Sequence, residues 1–366
     1  MSKKFYQGRG KFEVWPEVTG LSPMAISYDD VLIVPQSETS LSSRAEADTS
    51  CRIGPFQLDI PIISAPMDTI SSEEVVRKMH EAGALGVLPR GDIEENLNIC
   101  ERLAEDSVQA VFAIGLKDAI NTAKKFKERG ARMLLLDVAH GGMKKVIETA
   151  VRIKEETGLD LIVGNVATFE AVEKYAKYGI EYIRVGIGSG SVCTTRIVTG
   201  VGIPQLSAVL DTSEVEGVKV IADGGVKNTG DFVKALAAGA QYVMMGSAFA
   251  ECIEKPKGNI YRGQASASYM KDNGSTIGRF RAPEGCEVYV EPRYTIKEVI
   301  DMYSGGLRSA MSYVGAHNLQ EFYEKSAFVH ISGSVQVENT PHFVYKSTAT
   351  QESKQQAVPA YVKNGE

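Results

Sequence analysis

Eight short apolar runs, rich in β-branched residues, recur along the middle of the chain and alternate with stretches of helical spacing. Runs that are apolar throughout are typical of strands in a parallel sheet that helices cover on both faces. The runs lie at residues 60–65, 85–88, 109–115, 133–138, 161–166, 182–187, 218–222 and 242–246. Eight β/α units in succession predict a closed (β/α)8 TIM barrel. The alternative is a doubly wound sheet, which would usually show fewer strands and a phosphate loop after the first.

The helical stretches between the runs predict where the barrel helices begin and end. They include residues 72–82, 117–129, 144–157 and 230–238, and a further helix is predicted at 294–314. Glycine is a common helix C-cap because it adopts the left-handed conformation without strain. Four glycines stand at such positions shortly before a strand: Gly83, Gly130, Gly179 and Gly239. The same device therefore recurs along the chain, as a repeated β/α unit requires.

The repeat also sets the domain organisation. Residues 1–27 carry little pattern and are predicted to form an N-terminal arm. Residues 28–345 are predicted to form the single barrel domain, and the polar, aperiodic residues 346–366 a disordered tail. Within the barrel domain, the glycine-rich residues 186–205 predict an active-site loop. The polar, glycine-bearing residues 264–290 predict a lid.

Composition narrows the class of function. The 366 residues carry a net charge of -6, which argues against a nucleic-acid partner because such proteins present a basic face. The first residues are polar and mixed, so neither a signal peptide nor a membrane span is predicted. Five scattered cysteines without CxxC spacing indicate neither a disulfide framework nor a zinc site. We therefore expect a cytoplasmic protein whose partner is a small molecule.

Polar residues and glycines gather where the predicted strands end. Asp137 and Asn165 close two of the runs, while Asp-Gly-Gly at 223–225 and Gly-Ser at 246–247 follow the last two. The active site of a (β/α)8 barrel lies at the carboxyl ends of its strands. Backbone N–H groups in glycine turns can hold a phosphate. The last two strand ends therefore predict a phosphate site.

The glycine-rich segment after the sixth run carries the candidate nucleophile. Cys193 lies among glycines, with Thr195 and Arg196 close behind it. A thiol among backbone dipoles and beside a cation ionises more readily than a free one, and can then act as a nucleophile. The alternative is a buried structural cysteine in a loop. The glycines, which let a ligand approach the main chain closely, and Thr195 favour the catalytic interpretation.

Residues 188–196, Gly-Ser-Gly-Ser-Val-Cys-Thr-Thr-Arg, resemble the active-site loop of the IMP dehydrogenase/GMP reductase family. The resemblance extends over residues 25–345 and implies a barrel, in agreement with the strand count. Other family-like motifs occur in family order: Tyr-Asp-Asp-Val-Leu at 28–32, Ser-Ala-Pro-Met-Asp-Thr at 64–69, Gly-Asn-Val at 164–166, Ala-Asp-Gly-Gly at 222–225, Met-Met-Gly-Ser at 244–247, Tyr-Arg-Gly at 261–263 and Gly-Gly-Leu-Arg-Ser at 305–309.

The resemblance implies a purine-nucleotide oxidoreductase in which Cys193 attacks C2 of the purine. Thr195 and Glu284 match the pair that assists departure of the amine in the reductase branch. Arg279, followed by Phe280, is similar to the Arg-Tyr pair that activates water in the dehydrogenase branch.

The resemblance also implies the binding residues and the assembly. The residues implied to hold the nucleotide are Met67, Ser191, Asp223, Gly224, Gly225, Gly246, Ser247, Tyr261, Gly263, Gln264 and Arg281. The residues implied to face the nicotinamide cofactor are Asp137, Val138, Ala139, Asn165 and Gly186. The carbonyl groups implied to hold a monovalent cation, potassium, belong to Gly188, Gly190 and Cys193. The family usually assembles as homotetramers and sometimes as homo-octamers.

Three features favour the reductase branch. Thirteen residues separate Met270 from Glu284, which is the reductase's short connection and not the longer dehydrogenase flap. Residues 281–285, Arg-Ala-Pro-Glu-Gly, resemble the reductase's Arg-Ala-Ser-Glu-Gly. No pair of regulatory CBS modules interrupts the chain, since only a helix-length stretch lies between residues 88 and 109. The resemblance therefore predicts NADPH-dependent reductive deamination of GMP to IMP and ammonia.

Other features resemble the dehydrogenase branch, which converts IMP, NAD and water to XMP and NADH. Residues 197–200 and 328–342 are similar to dehydrogenase sequence, and His140 stands where reductases commonly have asparagine. Phe280 lacks the hydroxyl that a tyrosine would share, so water activation would rest on Arg279, a poor base at neutral pH. A dehydrogenase without CBS modules that uses NAD is therefore the alternative.

Two further observations bear on substrate recognition and on a third interpretation. Gln264 and Ala265 depart from the family's usual Met-Gly or Met-Ser, at positions that recognise the purine edge. A barrel that binds purine nucleotides without turning them over is the third interpretation. It is disfavoured because Cys193, Thr195 and Glu284 are all intact.

Overall fold

A computed structural model describes residues 25–274, 277–279 and 282–339 of the chain. Its strands are β1 (Val31–Ile33), β2 (Cys51–Ile53), β3 (Phe56–Leu58), β4 (Ile62–Ser64), β5 (Gly86–Leu88), β6 (Ala110–Ile114), β7 (Met133–Asp137), β8 (Asp160–Val166), β9 (Tyr182–Val185), β10 (Lys219–Asp223), β11 (Tyr242–Met245), β12 (Ile260–Arg262), β13 (Glu287–Tyr289) and β14 (Phe328–His330). Its α-helices are α1 (Glu73–Glu81), α2 (Ile93–Glu105), α3 (Ala119–Glu128), α4 (Lys144–Thr157), α5 (Phe169–Ala176), α6 (Thr195–Thr199), α7 (Gln205–Thr212), α8 (Thr229–Ala237), α9 (Ala267–Asp272), α10 (Ile296–Val314) and α11 (Leu319–Lys325).

Strands β4 to β11 form one sheet in which each strand neighbours the next along the chain. β11 pairs in parallel with β4, where Met244 lies opposite Ile63. A parallel bridge between Ile63 and Leu85 closes the remaining edge, and the Leu85 N–H donates to the Ile62 carbonyl at 3.0 Å. The sheet is therefore a (β/α)8 barrel, which confirms the predicted fold class. Each predicted run coincides with one of these strands to within two residues.

Alternate residues of the barrel strands supply two separate cores, because successive side chains of a strand point to opposite faces. In β7, Leu134 packs toward the helices and Leu135 fills the barrel interior. The hairpin of β2 and β3 covers the amino-terminal end of the barrel, where the Gly54 N–H donates to the Tyr182 hydroxyl at 2.8 Å. The interior is thus closed at one end, and the carboxyl ends of the strands are left for the site.

The barrel helices begin and end where the sequence predicts. The five predicted helices coincide with α1, α3, α4, α8 and α10 to within two residues. Side-chain caps fix the starts of α1, α8 and α10; at α1, the Ser72 hydroxyl accepts from the Val75 N–H. All four predicted C-cap glycines have φ between +67° and +113°. The local signals therefore agree with the global fold.

Connections outside the repeat complete the described structure. α2 is the one helix or strand between β5 and β6, so no further module is inserted there. β1 pairs antiparallel with β14, and β12 pairs antiparallel with β13 across the predicted lid. Of the predicted arm, only residues 25–27 are among the described residues, and the predicted tail lies outside them. Among the described helices, none has the length and apolarity needed to cross a membrane.

Candidate active site

A cavity of about 850 Å³ opens at the carboxyl ends of the barrel strands. Its volume falls within the range of roughly 300–1,000 Å³ that is typical of small-molecule sites. The predicted site residues that line it are Met67, Asp137, Val138, Ala139, Asn165, Gly186, Gly188, Gly190, Ser191, Cys193, Thr195, Asp223, Gly224, Gly225, Gly246, Ser247, Tyr261, Gly263, Gln264 and Glu284. Arg279 is exposed and is not among the lining residues. Arg281 lies outside the described residues.

The active-site loop, residues 186–205, is called the cysteine loop below. It leaves β9 through a glycine whose conformation other residues rarely adopt. Gly186 has a φ of +152°, and a Cβ there would collide with the Asp223 carbonyl oxygen. Beyond it, the Cys193 N–H donates to the Gly190 carbonyl at 3.1 Å. The side chain of Arg196 packs closely against Gly188, where a Cβ would lie 2.6 Å from Arg196 Cγ. Arg196 therefore supports the loop by packing.

The thiol of Cys193 is half-buried and lies beside a hydroxyl. Its Sγ is 3.1 Å from Thr195 Oγ1, within hydrogen-bonding distance. The helix α6 begins at Thr195, so the two side chains are fixed by one short turn of backbone. The structure therefore brings together the predicted nucleophile and its predicted partner.

The other cysteines differ from Cys193 in their surroundings. Burial raises the pKa of the Cys51, Cys100 and Cys252 thiols to about 12. Such thiols carry little thiolate at neutral pH and are poor nucleophiles. Cys286 is exposed but does not line the cavity. Cys193 is therefore the one described cysteine that lies in the cavity.

Backbone hydrogen bonds join the predicted lid to the cysteine loop. The Thr194 N–H donates to the Glu284 carbonyl at 3.0 Å, and the Cys286 N–H donates to the Val192 carbonyl at 2.9 Å. Cys193 and Gly285 form an antiparallel bridge between these segments. Glu284 is therefore bonded through its backbone to Thr194, the residue before Thr195, and it is half-buried in the cavity wall.

Glycines and hydroxyls gather at the end of the cavity formed by β10 and β11. Gly224 and Gly225 have φ of +93° and +79°, which favours glycine at both positions. Ser191 Oγ lies 2.9 Å from the Tyr261 hydroxyl. Burial raises the pKa of Tyr261, so its phenol stays neutral and can donate a hydrogen bond. This end offers the kind of donors that hold a phosphate.

A buried ion network lies at the ends of β7 to β10. Arg184 donates from Nη1 to Asp137 Oδ1 at 2.6 Å and from Nε to Asp223 Oδ2 at 2.9 Å. The side-chain amide of Asn165 donates to Asp223 Oδ2 at 2.8 Å and to the Gly186 carbonyl at 2.7 Å. The network thus connects residues predicted for the nucleotide with residues predicted for the cofactor.

Sequence reasoning assigned no role to the two arginines of this network. Arg90, at the end of β5, donates from Nε to Asp137 Oδ2 at 3.0 Å. Arg184 was overlooked although a charged residue inside the apolar run Tyr-Ile-Arg-Val is an available signal. Arg90 comes two residues after the end of a predicted strand, at a position where barrel active-site residues occur. Both arginines line the cavity.

The predicted cation site consists of carbonyl groups on one loop. The Gly190 carbonyl already accepts the Cys193 N–H, although a carbonyl oxygen has a second lone pair for an ion. Among the described residues, no group of three or more His, Cys, Asp or Glu side chains could hold a metal ion. The potassium site stays a prediction.

Comparison with known proteins shows which family the chain resembles. The model of the IMP dehydrogenase / GMP reductase domain matches residues 25–342. The inosine-5'-monophosphate dehydrogenase of Cryptosporidium parvum is 32% identical over 383 residues, which cover 87% of this chain and 95% of that protein. The corresponding enzyme of Borreliella burgdorferi is 31% identical, covering 88% of this chain and 98% of that protein.

A solved structure agrees with these matches. A GMP reductase variant from Trypanosoma brucei, in complex with guanosine 5'-monophosphate, superimposes with a TM-score of 0.82. It is 25% identical in sequence, and the match covers 88% of this chain and 99% of that one. The chain therefore belongs to the IMP dehydrogenase/GMP reductase family, whose members are oxidoreductases.

Proposed function

We propose that the protein is a GMP reductase, which converts GMP to IMP and ammonia with NADPH as the reductant. The observation that carries the proposal is the contact of 3.1 Å between Cys193 Sγ and Thr195 Oγ1, with Glu284 backbone-bonded to the same loop. The short connection of thirteen residues between Met270 and Glu284 also supports the proposal, and Glu284 lines the same cavity as Cys193. A neighbouring structure in the comparisons is also named a GMP reductase.

The proposed chemistry begins at the purine. The Cys193 thiolate adds to C2 of GMP and forms a C–S bond. The 2-amino group then gains a proton and leaves as ammonia, and the ring keeps its bond to sulfur. Thr195 is placed to pass a proton between the leaving nitrogen and the Glu284 carboxylate, in the manner of general acid–base catalysis. The loop and the lid thus supply the groups that make and break bonds.

The glycine end of the cavity is proposed to hold the nucleotide's phosphate and ribose. Backbone N–H groups of Gly225, Gly246 and Ser247, with the hydroxyls of Ser191 and Tyr261, suit a phosphate. Asp223, on the adjacent strand end, is placed to accept hydrogen bonds from ribose hydroxyls. Met67 and Gln264 lie at the purine end. Gln264 is held there because its side-chain amide donates to the Pro66 carbonyl.

The opposite strand ends fit a nicotinamide cofactor. Asp137, Val138 and Ala139 line the cavity directly after β7, beside the Asn165 amide and the Arg90 guanidinium. A carboxylate, an amide and a cation beside apolar wall suit a ligand that carries hydroxyls, a carboxamide and phosphates. When bound, the cofactor supplies the hydride that replaces sulfur at C2. Asp137 and Asn165 would then orient it against the purine.

Dehydrogenation of IMP to XMP with NAD is the second candidate function. The relatives from Cryptosporidium parvum and Borreliella burgdorferi are named inosine-5'-monophosphate dehydrogenases, and this observation favours it. The position of Arg279 opposes it, since this side chain is exposed and does not line the cavity. The residue after it, Phe280, has no hydroxyl to assist a water.

Other properties are proposed on narrower support. Homotetramers or homo-octamers are supported by exposed apolar side chains in the second half of the cysteine loop, of which Ile197 is 85% exposed. Potassium binding is supported only by the resemblance of residues 188–196 to the family's active-site loop. A cytoplasmic location is supported by the five free cysteines.

A two-way substrate assay tests the proposal. Purified protein is supplied either with GMP and NADPH or with IMP and NAD, in potassium buffer, and nucleotides are resolved by chromatography. We expect IMP and ammonia to form in the first mixture, with one NADPH consumed per GMP. Formation of XMP in the second mixture and no reaction in the first would replace the reductase with the dehydrogenase. Parallel assays with NADH in place of NADPH identify the preferred cofactor.

A further inference from the structure

Arg184 reaches two carboxylates because Gly164, on the neighbouring strand, has no side chain to block its path. In the strand register, Asp137 of β7 lies opposite Gly164 of β8, and Gly164 lies opposite Arg184 of β9. A Cβ on Gly164 would lie 2.6 Å from Arg184 Cβ. The glycine therefore leaves space through which the guanidinium passes over β8 to Asp137. Its Nε meanwhile binds Asp223 on the other neighbouring strand.

Few groups balance the negative charges of Asp137 and Asp223. Burial by itself would lower the pKa of Arg184, but the carboxylates of Asp223 and Asp137 outweigh it, so the pKa is raised and the side chain stays a cation. The Arg90 side chain pairs with Asp137 and is 41% exposed, whereas the Arg184 side chain pairs with both carboxylates and is 9% exposed. Asp223 receives its other hydrogen bond from the neutral amide of Asn165. Arg184 is thus the cation that the two carboxylates share.

We propose that Arg184 is a positioning residue that fixes the nucleotide-side carboxylate, Asp223, and the cofactor-side carboxylate, Asp137, as one unit. The assignment of a ligand to each carboxylate rests on the proposed function. Both expected ligands carry phosphates, so a carboxylate that lost its shared cation would be misoriented and would also repel them. Arg184 therefore sets the affinity for both ligands through residues on two different strands. Arg90 sets it for one ligand only.

Direct binding of IMP and of NADPH tests this division. IMP takes part in both candidate reactions, as product or as substrate, and IMP with NADPH is unreactive in either, so calorimetric titration does not depend on which branch is right. For Arg184→Gln we expect both dissociation constants to rise at least about tenfold, as loss of a buried ion partner implies. For the matched control Arg90→Gln we expect that of NADPH alone to rise. Arg184→Lys keeps the charge, but a single ammonium group cannot reproduce the two-armed contact of the guanidinium. We therefore expect both dissociation constants to rise, by less than in Arg184→Gln.

A charge-neutral variant keeps the test valid if Arg184→Gln does not fold. Arg184→Gln combined with Asp137→Asn removes one cation and one anion together. No unpaired carboxylate is then left at position 137, at the end of β7. We expect IMP to bind at least about tenfold more weakly, because Asp223 has still lost its guanidinium. IMP binding at the parent's affinity in this variant would overturn the proposal, as would equal effects of Arg184→Gln and Arg90→Gln on the two ligands. If the parent protein binds neither IMP nor NADPH, it is the proposed function that fails.

Discussion

The cysteine loop with its lid and the ends of β7 to β10 face the same cavity but are held in place by different means. The loop is fixed by glycine conformations and by backbone hydrogen bonds, such as the one between Thr194 and Glu284. The strand ends are fixed by side-chain charges, with Arg184 between two carboxylates. The groups proposed to make bonds thus lie on the loop and the lid, and the carboxylates proposed to orient ligands lie at the strand ends. Substitutions on the two sides should therefore change different quantities: turnover on the loop, and affinity at the strand ends.

The largest expected effect is on the loop side. Cys193→Ala removes the sulfur that is proposed to bond to C2, so we expect turnover to fall by at least about 10⁴-fold, as loss of a covalent nucleophile does. IMP should bind with a dissociation constant within about threefold of the parent's, because the strand ends are unchanged. Initial rates and calorimetry give the two quantities. Substantial residual turnover would remove the covalent step from the proposed mechanism.

A smaller effect on the same side is expected from the lid carboxylate. Glu284→Gln keeps the size of the side chain and the backbone contact with Thr194, but it cannot exchange a proton. We expect the release of ammonia from GMP to slow by about 10²- to 10³-fold, which is typical of a lost general acid–base group. GMP affinity should change little. A loss of affinity as large as the loss of rate would mean that Glu284 binds the substrate and has no part in proton transfer.

Gly186 connects the two sides, because the cysteine loop leaves the barrel at this residue. A Cβ at this position would collide with the carbonyl of Asp223, so Gly186→Ala should lower the free energy of unfolding by about 2–4 kcal/mol. Gly200→Ala is the matched control: φ there is +73°, and a Cβ would have open space around it. Strain alone should cost that variant about 1 kcal/mol. Urea denaturation measures both, and equal losses would show that the close approach to Asp223 is unimportant.

The fold could be predicted because its signals are local. Each barrel strand is a short apolar run, and several helices end at glycines that the sequence shows directly. The position of the site followed from the same runs, since polar residues such as Asp137 and Asn165 come at their carboxyl ends. The roles of these residues came from family resemblance and stay predictions. The cavity that they line is what the structure adds.

The missed features depend on contacts between distant parts of the chain. Arg184 is 47 residues from Asp137, and their contact requires both the strand register and the side-chain gap at Gly164. The lid was predicted from its polar, glycine-bearing composition, and the helix α9 and the strand β13 within it were not predicted. The strand β13 is exposed and pairs with β12 some 25 residues earlier, so no apolar pattern marks it.

The pairing of β1 with β14 has a consequence for biosynthesis. Val31 lies opposite His330, so β1 has no partner until nearly three hundred further residues have been translated. Contacts of such long sequence separation form late, because the entropy of closing the intervening chain must first be overcome. While the ribosome completes the barrel, the early strand presents an unpaired edge to its surroundings. Shortening the chain before Phe328 would make that transient exposure permanent.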